Sequence, residues 1–317
     1  MKIHLLEPLG VSEENIQRLA QPLIDKGHSF TYYDTKTTDI QELIDRSLDC
    51  DIVMIANTPY PNEVLSKLDN LKLINVAFTG YDHVGSLAKE KNIKVCNASG
   101  YSNETVSELV LGLTLSLYRH LIQADHTVRN EGGSDGLIGR EIHSKTVGII
   151  GTGKIGIATA KLFQAFGAKV IAYNRTPKKD VEVLGIDYVP IETLMKESDI
   201  VSLHLALNED TYHFIDRQKL LLMKKSSVLI NCARGPVVDN SALADILNEG
   251  RIAGAGIDVF DLEPPLEKNT ALLHAKNTLL TPHIAYYSEE SMLRRAEIAF
   301  SNTLAFLEGR AQNIVIG

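Results

Sequence analysis

The sequence predicts an α/β protein built on two parallel β-sheets, each covered by helices on both faces. Three observations carry that prediction. Short apolar runs alternate with helical patterns from Ile3 to Cys96, the same alternation resumes from Thr146 to His283, and one long apolar helical pattern, Glu104–Asn130, separates the two stretches. Repeated βα units demand parallel strands whose crossover helices lie on both faces of the sheet.

In the first stretch Ile3–Leu6, Ser29–Tyr33, Ile52–Ala56, Leu73–Ala77 and Lys94–Cys96 read as strands. Helices fall at Ser12–Lys26, Ile40–Ser47, Asn62–Leu68 and Val84–Lys91, with Ser12 and Asp39 at N-cap positions. In the long pattern, Val106, Leu109, Val110, Leu113, Leu117 and Leu121 form one stripe, and Leu111, Leu115 and Ile122 widen it. A helix apolar on more than one side wants more than one partner, so it is expected to lie between domains and to bury a face in an oligomer. The Gly-rich polar segment Glu131–Gly139 is a surface break. Strands then fit Thr146–Ile150, Lys169–Tyr173, Ile200–Leu203, Ser227–Asn231, Gly254–Asp258 and Thr278–Leu280, with helices such as Ser241–Asn248 between them. The last helix, Glu289–Glu308, follows a completed sheet and is expected to cross back onto the N-terminal domain. That makes one domain discontinuous, residues 1–99 with 286–317, around a second of residues 100–285.

The strand at Val147–Ile150 runs directly into Gly151-Thr152-Gly153-Lys154-Ile155-Gly156. Ile155, Ala158, Thr159, Leu162 and Phe166 then recur at helical spacing, and Gly167 marks a stop. Strand, tight glycine turn and helix in this order are the context that a dinucleotide fingerprint requires. Gly151 permits the turn, Gly153 lets backbone N–H groups approach a pyrophosphate, and Gly156 lets helix and strand pack closely.

Composition narrows the class. With 44% hydrophobic and 23% charged residues the chain reads as an ordinary globular protein. A net charge of −8 with dispersed Lys and Arg argues against nucleic-acid or anionic-membrane partners. No apolar run reaches spanning length and the N-terminus does not read as a signal peptide, so a cytoplasmic location is expected. Cys50, Cys96 and Cys232 sit beside apolar runs without metal-ligand spacing, so buried thiols and no metal are expected.

Three ionisable residues fall near the ends of late strands: Arg234 after Asn231-Cys232-Ala233, Glu263 after Asp258-Val259-Phe260-Asp261-Leu262, and His283 after Thr281-Pro282. Open α/β sheets bind ligands outside the carboxyl ends of their strands, so all three share an edge with the glycine turn. The chain here resembles the D-isomer-specific 2-hydroxyacid dehydrogenases. The matching stretches are Gly80-Tyr81-Asp82-His83-Val84, Gly148–Gly156, Asn231–Asp239 with Ala242-Leu243, Gly256–Pro264 and Thr281–Ile284.

The resemblance implies a Rossmann-type cofactor domain inserted into a flavodoxin-like substrate domain, both doubly wound, with a cleft between them and a homodimeric assembly. It implies a hydride transfer between NAD(P)H and a small 2-oxo acid, giving a D-2-hydroxy acid. Its catalytic set falls on Arg234, Glu263 and His283. Imidazole, with an ordinary pKa of about 6.5, suits reversible proton transfer to the carbonyl oxygen. A carboxylate on the other ring nitrogen favours the charged ring and fixes its orientation. The Arg234 guanidinium matches the substrate carboxylate as a planar fork of donors. The family pattern further puts backbone N–H groups near Thr79 and Gly80 on that carboxylate, and Asp258 and Val106 beside the nicotinamide. Gly151, Gly153, Lys154, Ile155, Gly156, Cys232 and Ala233 complete the expected cofactor contacts. Other histidines (His83, His143, His204, His213 and His274) lie away from the His283 motif.

At the end of the second strand, where an acid would bind a ribose 2′-hydroxyl, the chain reads Asn174-Arg175-Thr176 with Lys178 and Lys179 following. A neutral residue beside cations favours NADP over NAD. Two departures from the family pattern are Ala206, where proline is common, and Tyr286-Tyr287, where small residues or tryptophan are usual. The favoured substrates are glyoxylate and hydroxypyruvate; phosphoglycerate- and D-lactate-type enzymes, and a corepressor-like nucleotide sensor of the same fold, stay open.

Overall fold

The computed structural model of the 317-residue chain describes residues 1–262 and 265–317, the side chain of Asp180 excepted. It divides into two compact units, Met1–Ser102 with Tyr287–Gly317, and Asn103–Tyr286.

The first unit begins β1 (Lys2–Leu5), α1 (Glu13–Asp25), β2 (Ser29–Tyr32), α2 (Ile40–Ser47), β3 (Ile52–Ile55), α3 (Asn62–Leu65), β4 (Leu73–Val76), α4 (Leu87–Glu90) and β5 (Lys94–Asn97). These strands pair in parallel in the order β2-β1-β3-β4-β5, the flavodoxin-like order. β3 and β4 are buried along their whole length, which is why β3 runs apolar without alternation and β4 does so apart from Asn75. Ser12 and Asp39 cap α1 and α2, their side chains accepting from the N–H groups of Asn15 and Glu42. The helix predicted from Val84 starts only at Leu87. Val84 instead pairs with Tyr60 in an isolated bridge, and its own N–H goes to the Tyr81 carbonyl.

The second unit contains α5 (Asn103–Tyr118), α6 (Leu121–Arg129), β6 (Thr146–Ile150), α7 (Lys154–Ala165), β7 (Lys169–Tyr173), α8 (Lys179–Glu182), β8 (Asp187–Tyr188), α9 (Ile191–Glu197), β9 (Ile200–Leu203), α10 (Arg217–Leu220), β10 (Val228–Asn231), α11 (Asn240–Asn248), β11 (Gly254–Ile257) and β12 (Thr278–Leu280). Its seven strands run in the order β8-β7-β6-β9-β10-β11-β12, all parallel. This is the doubly wound dinucleotide-binding order with one strand added beyond β11.

The single helix expected over Glu104–Asn130 is two helices. The Tyr118 carbonyl accepts from the returning N–H of Arg140, and His120 adopts a left-handed backbone, φ 53°. A chain segment beyond the pattern thus captures the end of α5, and hydrophobic spacing cannot register that. α5 buries Val106, Val110 and Leu113 against α7 and the second sheet, whereas α6 buries none of its residues.

After this unit, α12 (Glu289–Leu307) and β13 (Ile314–Ile316) belong to the first. The Asn75 amide on β4 donates to the Ala299 carbonyl at 2.6 Å and the Thr303 hydroxyl at 2.8 Å, and Asn302 donates to the Asn97 carbonyl. β13 extends the first sheet beside β5, antiparallel. A run of three residues is too short to read as a strand from the sequence. Among the described residues no helix is long and apolar enough to cross a membrane.

Candidate active site

The glycine turn sits at the carboxyl end of β6, where the winding of the second sheet changes direction between β6 and β9. Gly151 has φ 99°, and a Cβ there would stand 2.5 Å from the His204 carbonyl oxygen. A Cβ on Gly156 would lie 2.1 Å from the Gly151 carbonyl oxygen. Both positions therefore exclude any side chain. Gly153 differs: it is the N-cap of α7, no side chain caps the helix, and nothing lies within 4 Å of where its Cβ would be. The open N–H groups and the positive end of the helix dipole face that space, with Lys154 and Ile155 in the first turn. The cradle fits a pyrophosphate. Gly156→Ala should abolish nucleotide binding, measured by NADPH fluorescence titration, because the methyl group must push the turn apart. Unchanged affinity would mean that the turn does not hold the nucleotide.

At the end of β7, the Asn174 side chain accepts from the Thr152 N–H at 3.2 Å and donates to the Thr176 carbonyl at 2.7 Å. Lys178 donates to the Thr152 carbonyl at 3.0 Å, which brings an ammonium to the glycine turn. Arg175 pairs with Asp210 at 3.0 Å, but both side chains are largely solvated, 82% and 76% exposed, so the pair holds the guanidinium weakly.

Three adjacent strands deliver the remaining groups. β10 ends in Asn231, whose side chain accepts from the Ala233 N–H and donates to the Arg234 carbonyl, bending the chain into the turn Gly235–Val237. A Cβ on Gly235 would stand 2.0 Å from the Phe260 backbone, so glycine lets this loop press against the one after β11. Arg234 Nη1 donates to the Ala233 carbonyl. Cys232 is buried and its thiol is pushed well up by that burial and by Asp258, so it is inert.

β11 leads to Asp258, fully buried, and β12 leads to Thr281-Pro282-His283. One oxygen of the Asp258 carboxylate accepts from the Thr281 hydroxyl at 2.5 Å and the Ile284 N–H at 2.9 Å; the other accepts from the Ala285 N–H at 2.9 Å. Burial raises this carboxyl above the ordinary range, against the opposing pull of those donors and of His283. The Tyr286 ring meets the His283 imidazole edge-on, centroids 5.4 Å apart. Glu263 lies outside the described residues.

His204, by contrast, lies at the end of β9 with Ser202 on its ring at 2.9 Å, and desolvation pulls its imidazole down to about 3. It is neutral near pH 7 and donates no proton readily. Val106 is buried among Val110, Ile149 and Ile230, a core position. In the first unit Thr79 and Gly80 follow β4, and among the described residues their N–H groups donate to no other group. No group of three His, Cys, Asp or Glu side chains among the described residues could hold a metal ion.

Sequence reasoning missed Thr281. Its one signal, a hydroxyl two residues before a histidine, means nothing until β11 and β12 are seen to be neighbours.

A doubly wound sheet with an open glycine cradle at its switch point defines a dinucleotide-binding protein. Residues 111–285 match the family described as "D-isomer specific 2-hydroxyacid dehydrogenase, NAD binding domain". The chain is 37% identical to the glyoxylate reductase of Korarchaeum cryptofilum, over 84% of its own length and 82% of that protein's. It is 36% identical to the hydroxypyruvate reductase of Blautia hydrogenotrophica, over 91% and 92% of the two lengths. The crystal structure of D-lactate dehydrogenase from Aquifex aeolicus with NAD and lactic acid superposes with a TM-score of 0.86 at 30% identity, covering 100% of this chain and 99% of that one. The chain belongs to the D-isomer-specific 2-hydroxyacid dehydrogenase family and is an NAD(P)-dependent oxidoreductase.

Proposed function

We propose that the protein reduces a small 2-oxo acid to the D-2-hydroxy acid, with glyoxylate and hydroxypyruvate as favoured substrates and NADPH preferred over NADH. The observation that carries this reading is the convergence of Arg234, Asp258 and His283 at the ends of three adjacent strands, on the edge that bears the glycine cradle. The substrate names of the two sequence relatives support the choice of acid.

Bound nicotinamide supplies the hydride to the keto carbon. The residues of the chain do the rest. Arg234 offers parallel donors to the substrate carboxylate and stabilises charge at the carbonyl oxygen. His283 as imidazolium gives its proton to that oxygen as negative charge develops, and neutral His283 takes it back in the reverse direction. Glu263 is assigned to the other ring nitrogen, Asp258 and Val106 to the nicotinamide end, and the N–H groups of Thr79 and Gly80 to the substrate carboxylate. Residues 1–99 with 286–317 act as the substrate domain and 100–285 as the cofactor domain.

The preference for NADPH rests on Asn174, which carries no charge to repel a 2′-phosphate, and on Arg175 and Lys178 beside the cradle. The purified protein should oxidise NADPH when given glyoxylate or hydroxypyruvate, followed by loss of nicotinamide absorbance across a panel of 2-oxo acids. Tight NADPH binding without turnover of any oxo acid would favour a nucleotide sensor instead.

The assembly is proposed to be a cytoplasmic homodimer. Helix α6 leaves Leu121, Ile122 and Val128 exposed, and Ile138 in the following segment is 91% exposed. Apolar side chains so grouped are costly in water and suit a self-complementary interface. Replacing Ile122 and Val128 together by aspartate should shift the molecular mass measured by light scattering from dimer to monomer. An unchanged mass places the interface elsewhere.

A further inference from the structure

His283 stands in a backbone conformation that a residue with a side chain adopts at a cost, φ 55°. Something must hold it there, and the described contacts identify the holder. The His283 N–H donates to the Asp258 carbonyl at 2.8 Å and the Thr281 carbonyl at 3.0 Å. The next two N–H groups, Ile284 and Ala285, each donate to one oxygen of the Asp258 carboxylate at 2.9 Å. Asp258 is fully buried, so its rotamer cannot wander, and the Thr281 hydroxyl fixes it from the other side of the turn at 2.5 Å.

We propose that Thr281 and Asp258 form a positioning pair: the hydroxyl orients the carboxylate, the carboxylate grips the two N–H groups after His283, and the imidazole is thereby aimed. The inference rests on the reading of His283 as proton donor and extends it to residues that need not touch the substrate. Asp258 is also a candidate for the nicotinamide end, but Thr281 is not, so Thr281 separates aiming from cofactor contact. Removing its hydroxyl leaves one carboxylate oxygen with the Ile284 N–H alone among the described partners, and the turn that fixes the imidazole loosens. Misplacement of a reacting group by about 1 Å costs on the order of 100-fold in rate, so a partial loosening should cost about 10- to 100-fold.

The test compares Thr281→Val, which keeps shape and loses the hydroxyl, with Thr281→Ser, which keeps the hydroxyl, and with His283→Ala. The purified full-length protein is assayed for kcat and KM with glyoxylate and NADPH. NADPH affinity is measured by fluorescence and Tm by thermal unfolding. Thr281→Val should lower kcat by about 10- to 100-fold while NADPH affinity holds, and Thr281→Ser should restore kcat. If the valine variant does not fold, Thr281→Ala is read in its place against the serine variant. A normal kcat without the hydroxyl overturns the proposal. So does an equal loss in the serine variant, or a loss explained entirely by weaker NADPH binding. Full turnover by His283→Ala would remove the proton-donor reading and this inference with it. An inactive His283→Ala beside a fully active Thr281→Val would sink the inference alone.

Discussion

His283→Ala should lower kcat for 2-oxo acid reduction by about 10²–10⁴, the usual worth of a positioned acid–base group. The loss should fall on kcat, because the proton is needed as charge develops on the carbonyl oxygen, whereas the cofactor cradle on β6 and α7 does not involve this residue. NADPH affinity should therefore be retained. The measurement is steady-state turnover of glyoxylate alongside a fluorescence titration of NADPH. Near-normal kcat in this variant would show that another group supplies the proton. His204 is a poor substitute, because desolvation holds its imidazole neutral.

Arg175→Ala should reverse the cofactor preference. A charge-assisted hydrogen bond to a phosphate contributes about 1.5–3 kcal/mol, so losing the guanidinium should cost roughly 10- to 100-fold in kcat/KM for NADPH. NADH carries no 2′-phosphate and should be used almost as well as before. The existing ion pair with Asp210 does not change this estimate, since both partners are mostly in water and the pair is worth little. The companion change Asp210→Asn should favour NADPH slightly by removing a carboxylate near the phosphate. An NADPH preference that survives Arg175→Ala would transfer the role to Lys178, which already reaches the cradle through the Thr152 carbonyl. A wild-type preference for NADH would overturn the assignment outright.

Much of this was legible in the residues. The winding of both sheets followed from apolar runs alternating with helical spacing, because a strand buried on both faces reads as a near-continuous apolar run, as β3 does. The glycine turn announced itself because Gly151 and Gly156 stand where no Cβ fits, a demand met by residue type alone. Where prediction failed, the deciding partner lay far along the chain. The break after α5 depends on Arg140 reaching back to Tyr118, and β13 exists because β5 offered a free edge. The N-terminus of α4 is delayed because Val84 found Tyr60.

By itself the sequence determined the fold class and the glycine turn, and it supplied the candidates proposed to carry the chemistry, since these depend on local periodicity and on single residue types. Tertiary structure alone decided that Asp258 spends its carboxylate on the turn around His283, and that Gly235 exists to admit Phe260. Hydrogen bonds and close contacts between neighbouring strands join residues more than twenty positions apart, and no spacing rule along the chain encodes them.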